Sequence, residues 1–127
     1  MAAVALATAA VLATDGDFLH GLRAWSELEN AVPESDAAIA SGRSLYRAHC
    51  VGCHGELGRG DGPAGSALDP PPADLVLHVP QHSDGELYYF ISRGIPGTAM
   101  PSWRSSLSSR ERWHLVHYLR RLAAGSP

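Results

Sequence analysis

A chain of 127 residues, 45% of them apolar, is enough for one globular domain with a short appendage, and its two cysteines share one motif, so no disulfide framework is available. All ten basic residues are arginines, which excludes a Walker A lysine, a Schiff-base lysine and a lysine-ringed docking face. Residues 1–36 hold six acids against Arg23 and residues 37–127 hold seven acids against nine arginines; a remainder this weakly basic excludes a nucleic-acid partner, although it can bias docking toward an acidic one.

Residues 1–14, MAAVALATAAVLAT, are apolar and rich in small side chains, with A-x-A-like cleavage options. As a helix this run spans about 21 Å, short of the roughly 30 Å hydrocarbon core of a bilayer, and no positive charge precedes it. It reads as an export signal or the stub of a membrane anchor. Residues 15–35 follow as an amphipathic helical extension: the spacing of Phe18, Leu22, Trp25, Leu28 and Val32 predicts a helix over 17–32, with Asp17 as N-cap and Pro33 as the stop. Its apolar stripe is expected to pack on the chain's own domain, with docking on a partner subunit as the alternative.

The domain proper is expected over 36–127. Ser35 or Asp36 can cap a helix over 36–49 whose inner face is Ile39, Gly42, Leu45 and Tyr46. Glycine inside a helix costs about 1 kcal/mol relative to alanine, so Gly42 implies a neighbour approaching the backbone closely.

That helix delivers Cys50-Val51-Gly52-Cys53-His54. The pattern C-x-x-C-H reads as a c-type haem attachment site, since cysteines three apart on a helical turn can reach both vinyl groups of one porphyrin while the next residue turns its imidazole to the iron. Cys50 and Cys53 are then thioether anchors and His54 the proximal ligand. A zinc site with His78 and His82 is the first rival. It fails because 24 residues separate Cys53 from His78 and because Pro80 breaks any helix that would present the two histidines. A thioredoxin-type pair needs a βαβ setting, and no strand-like run lies nearby.

Residues 55–75, GELGRGDGPAGSALDPPPADL, are too rich in Gly and Pro for regular structure. Gly60, Gly62 and Gly65 match G-x-G-x-x-G, but no strand precedes them and Pro63 interrupts the turn, so a dinucleotide site is set aside, as is a cell-adhesion reading of Arg59-Gly60-Asp61. The loop is expected to wrap the proximal side of the haem and to offer a carbonyl, around Pro71 or Pro72, to the other ring nitrogen of His54. A capping box at Ser83 and Glu86 opens a helix over 83–93 with Leu87, Phe90 and Ile91 inward and Tyr88 and Tyr89 flanking, and Gly94 ends it. In GIPGTAMPSW the prolines and glycines preclude helix, and Met100, which precedes Pro101, is pushed into extended backbone. Met1 aside, this is the one thioether in the chain and the candidate sixth ligand, with His78, His82, His114 and His117 as rivals. A second capping box, Ser108 with Glu111, opens a last helix running to about Ala124, whose apolar side is Trp113, Leu115, Val116, Tyr118, Leu119 and Leu122. It is the natural partner for Gly42 and Tyr46, and His114 and His117 read as surface or satisfied structural histidines.

Gly42-x-x-x-Tyr46, C-x-x-C-H, the GRGDGP loop, GIPGTAMPSW and WHLVHYL together resemble the class I c-type cytochromes, specifically the bacterial monohaem domains, over roughly residues 36–124. The resemblance implies an all-α cytochrome c fold whose first and last helices cross near a glycine and an aromatic. It also implies one haem c held by Cys50 and Cys53, with axial ligands His54 and Met100 and with Trp103 near the haem edge. Attachment of this kind happens outside the cytoplasm, so a periplasmic location or the outer face of the bacterial cytoplasmic membrane is expected. The function it implies is non-enzymatic electron transfer between redox protein partners in a respiratory or periplasmic chain. The alternatives are an electron-entry subunit of a larger oxidoreductase complex and, with less support from the residues, a haem sensor or peroxidase-like protein.

Overall fold

The long helices of the domain begin at serines whose side chains cap them. The computed structural model describes residues 16–127, so the expected export signal or anchor at 1–14 lies outside the described residues. Six helices follow in order: α1 (16–25), α2 (Asp36–His49), α3 (Val51–His54), α4 (Leu75–His78), α5 (Asp84–Arg93) and α6 (Ser109–Ala123), with a 3₁₀ turn over Val79–Gln81 between α4 and α5. Among the described residues there is no strand. Ser35 caps α2 by accepting from Ala38 N–H. Both expected capping boxes are formed: the hydroxyls of Ser83 and Ser108 accept from the third amide of α5 and α6, while Glu86 and Glu111 accept from the cap amides.

These caps respond to acid. The Glu86 carboxyl is held below its ordinary value of 4.5 chiefly by the Ser83 amide, and Glu111 is lowered by the Ser108 amide in the same way. A depressed folded-state pKa means that the unfolded chain binds the extra proton, so this stabilisation is complete above about 4.5 and is lost as pH falls through the folded value. Thermal unfolding should therefore show a midpoint that falls below pH 4.5, with a shallower fall in a Glu86→Gln, Glu111→Gln double variant.

The long helices α2 and α6 cross at Gly42. A side chain there would strike the His114 carbonyl and come within 2.8 Å of the Tyr118 Cβ, so glycine is required by close approach. One turn further on, the rings of Tyr46 and Tyr118 meet at 5.3 Å. Leu115, Val116, Leu119 and Leu122 fill the core beneath them with Ile39 and Val79. His114 bonds Ser41 Oγ at 2.8 Å, across this crossing, and His117 bonds the Val32 carbonyl at 2.6 Å, in the segment before α2, so both act as structural histidines.

The N-terminal extension is shorter in helix than its periodicity implies. The expected helix over 17–32 ends at Trp25, and Asp17 already lies inside it, so neither Asp17 as cap nor Pro33 as stop holds. From residue 26 the chain leaves the helix to run along α6. The Asn30 side-chain amide donates to Trp113 O at 3.1 Å, the Val32 amide donates to Asn30 Oδ1 at 2.9 Å, and Val32 is left 6% exposed. Leu28, counted on the helical stripe, is 45% exposed as a result. Phe18 and Trp25 pack on the chain's own α5, Phe18 at 5.2 Å from the Tyr89 ring and Trp25 at 5.5 Å from that of Tyr88.

Candidate haem site

The attachment motif straddles a helix junction. Cys50 closes α2, its amide still donating to Tyr46 O at 2.8 Å, and α3 restarts immediately, with the amides of Cys53 and His54 both directed at Cys50 O. One turn of helix thereby brings Cys50, Cys53 and His54 to the same cleft. Gly55, at φ +81°, ends α3 in the left-handed region that favours glycine. The buried Tyr46 hydroxyl donates to its carbonyl at 2.5 Å, and burial pushes that phenol well above its ordinary value.

The glycine-rich loop then folds back over the motif. Gly60 N–H donates to His54 O, Gly62 N–H to Cys53 O and Ala64 N–H to Gly52 O, at 2.8, 3.1 and 2.8 Å. The amides of Gly60 and Gly62, the first two glycines of the apparent dinucleotide pattern, are thus engaged with the attachment motif itself. His54 Nδ1 bonds the Ala73 carbonyl at 3.2 Å, one or two residues beyond the Pro71 or Pro72 expected from sequence. Ala73 is placed there because Asp74 caps α4, accepting from Val76 and Leu77, and because Leu75 N–H donates to Gly58 O at 2.6 Å. A carbonyl only accepts, so Nδ1 carries the proton and Nε2 keeps its lone pair. Burial lowers the His54 pKa, partly offset by the Ala73 bond, and so favours the neutral ring a metal requires. Burial, with the Cys53 thiol as the smaller cause, pushes Cys50 up to about 12.

Met100 reaches the same cleft from the loop after α5. Its own carbonyl accepts from Ile95 N–H at 3.2 Å and its amide donates to Thr98 Oγ1 at 3.1 Å, which closes the loop into a tight turn. Trp103 borders the cleft too, its ring 5.0 Å from that of His49. All five residues expected at the site are therefore brought together. The cleft has a volume of about 510 Å³, and among the described residues no Asp, Glu or Arg lines it. The rival ligands divide. His114 is held on α2 and His117 on the segment before it, whereas His78 and His82 border the cleft, His82 being 3.4 Å from Glu86 and edge-on to Phe90. His49, Val79 and the short α4 went unnoticed in the sequence; Asp74 before Leu75-Val76-Leu77 is the capping signal that could have found α4.

Two thiols, a neutral imidazole with a free Nε2 and a thioether, converging on an apolar cavity within the size range of cofactor sites, fit a c-type haem. An all-helical fold with its first long and last helices crossed at a glycine, carrying this donor set, defines a class I c-type cytochrome domain. The chain belongs to the family described as cytochrome C oxidase, cbb3-type, subunit III, whose model matches residues 37–119. It is also similar to a chain of the reducing HAO-like protein complex of Kuenenia stuttgartiensis, with a TM-score of 0.63 and 32% identity over 75% of this chain and 49% of that one. The present chain thus spans about half the length of that relative. No curated protein matches significantly. As a cytochrome c domain, the chain is a haem-based electron-transfer module.

Proposed function

We propose that this chain passes electrons through a single haem c, anchored by Cys50 and Cys53 and ligated by His54 and Met100, and that it catalyses no reaction of its own. The observation that supports this most directly is that the thioether of Met100, from a separate loop, borders the same cleft as the motif. A bound haem supplies a one-electron ferric/ferrous couple. The chain's residues do the rest. The Ala73 carbonyl orients the His54 ring and raises the basicity of Nε2. The soft Met100 sulfur favours the reduced state and a higher potential. Apolar walls that include Leu87, Phe90, Ile91 and Leu119 exclude water, so little solvent has to reorganise when charge moves. Trp103 and the exposed His49, Thr98 and Pro101 border the cleft, where a redox partner would approach.

The test is the optical spectrum of the reduced, haem-loaded protein with and without carbon monoxide. A low-spin spectrum indifferent to the gas is expected; ready binding at neutral pH would replace the carrier reading with a sensor or peroxidase-like one.

A second reading has its own support. The matched family is described as an oxidase subunit, and the similar Kuenenia chain belongs to a complex, so the domain would serve as the electron-entry module of a larger oxidoreductase. Under either reading the site of action is the periplasm or the outer face of the cytoplasmic membrane, where the N-terminal residues would direct or tether it. Among the described residues no helix is long and apolar enough to cross a membrane. Copurification of another polypeptide from native membranes, and its absence from the soluble periplasmic fraction, would favour the subunit over the free carrier.

A further inference from the structure

Arg112 is a buried cation that the haem site does not touch. It is 6% exposed, and none of the ion pairs among the described residues includes it. A buried charge without a carboxylate is costly unless its donors are satisfied, and an apolar side chain could fill the same space. Its place near the N-terminal end of α6 is also the wrong end of that helix for a cation. The reason for an arginine there lies on the neighbouring helix. Its guanidinium lies over the Tyr88 ring at 4.9 Å, its Nε donates to Ser108 O at 3.3 Å, and its Nη1 donates to the hydroxyl of the fully buried Ser92 in the last turn of α5. That turn is the C-terminal end of α5, where a cation is favoured.

The same turn carries the methionine loop. Ser102 Oγ donates to Ser92 O at 2.6 Å, and Trp103 N–H donates to Ile91 O at 3.0 Å, so two terminal carbonyls of α5 are capped by residues just after Met100. Gly94 lets the loop lie directly on this helix end, since a side chain there would come within 2.7 Å of Met100 O and 2.8 Å of the Pro101 carbonyl carbon. From α6 the path therefore runs Arg112, Ser92, Ser102, and then two residues of backbone back to Met100.

We propose that Arg112 is a positioning residue for Met100: its guanidinium locks the C-terminal turn of α5 to α6, and Ser102 and Trp103 hang the thioether-bearing loop from that turn. The proposal rests on Met100 as the sixth ligand and deepens that assignment. It distinguishes Arg112 from a merely structural arginine, because loosening the clamp should release the sulfur before it unfolds the domain.

The experiment uses the full haem-loaded chain and compares Arg112→Met and Ser102→Ala with the parent. Three readouts are followed: the long-wavelength sulfur-to-iron charge-transfer band of the ferric form during alkaline titration, the rate of carbon monoxide binding to the reduced form, and thermal unfolding. Both variants are expected to lose the band at a lower pH than the parent and to bind the gas roughly two- to tenfold faster, the effect of one lost hydrogen bond on an opening equilibrium. Variants that melt earlier but keep the parent's band, titration and gas rate would overturn the proposal. If Arg112→Met fails to accumulate folded, Ser102→Ala decides, since it removes one hydroxyl and leaves the guanidinium in place; parental behaviour in it overturns the proposal. A parent that itself lacks the band and binds the gas would instead sink the Met100 assignment and the clamp with it.

Discussion

Gly42→Val is expected to abolish folding of the haem domain or to destabilise it by more than about 4 kcal/mol, a large share of the roughly 5–15 kcal/mol that holds a domain together. The reason is geometric. A Cβ at this position meets the backbone carbonyl of His114, which cannot turn aside as a side-chain tip could, and also the Cβ of Tyr118. The two helices would have to separate, and Tyr46, 1% exposed and bonded to the Gly55 carbonyl, would lose both its packing on Tyr118 and its hold on the turn after His54. Loss of fold at the crossing is therefore also loss of the haem site. Gly52 provides the control, because nothing lies within 4 Å of a side chain placed there. Gly52→Ala should be neutral or gain up to about 1 kcal/mol from helix propensity. Urea unfolding followed by circular dichroism, with haem content read on the same samples, compares the two; a folded, haem-replete Gly42→Val protein would contradict the crossing.

How far the sequence reveals this molecule depends on the range of each interaction. The bounds of α5 and α6 follow from Ser83 with Glu86 and Ser108 with Glu111, signals contained within four residues, and they agree with the structure to about one residue. The attachment motif is equally local. Met100 is legible because proline and glycine on both sides forbid any regular element around the thioether. Gly42 announces a close neighbour, and the apolar side of α6 identifies which one. The helix over 17–32 misleads for the opposite reason: its periodicity is real as far as Trp25, but Asn30 and Val32 are then claimed by Trp113 and His117, 83 and 85 residues away, and long-range hydrogen bonds override the local pattern. The carbonyl that orients His54 belongs to Ala73, since the cap at Asp74 and the Leu75–Gly58 bond set the register of the loop and composition does not. Arg112 looks like one more surface arginine until Ser92 and Tyr88 are placed beside it.

Met100→Ala should convert a closed haem into an open one. With the thioether removed, the reduced protein is expected to bind carbon monoxide readily, the ferric sulfur-to-iron band should vanish, and the potential should fall by a sizeable part of the ~0.8 V range that axial ligands command, because the soft ligand that favours the reduced state is gone. Stability should change little by comparison, since Met100 is only partly buried and its loop is tied by backbone bonds to Ile95 and Thr98 that the substitution leaves intact. The competing histidines make the experiment sharper. His78 and His82 border the same cleft, so either could in principle occupy the position and leave the variant indifferent to the gas. His82 is tethered by Glu86 and by Phe90, and moving it would cost those contacts, whereas His78 ends α4 on an exposed turn with a freer side chain. A gas-indifferent Met100→Ala protein that becomes reactive only with His78→Ala added would show that histidine as a substitute ligand. If Met100→Ala alone leaves the spectrum, the potential and the gas response all unchanged, and adding His82→Ala or His78→Ala opens the haem, the sixth ligand was a histidine from the start.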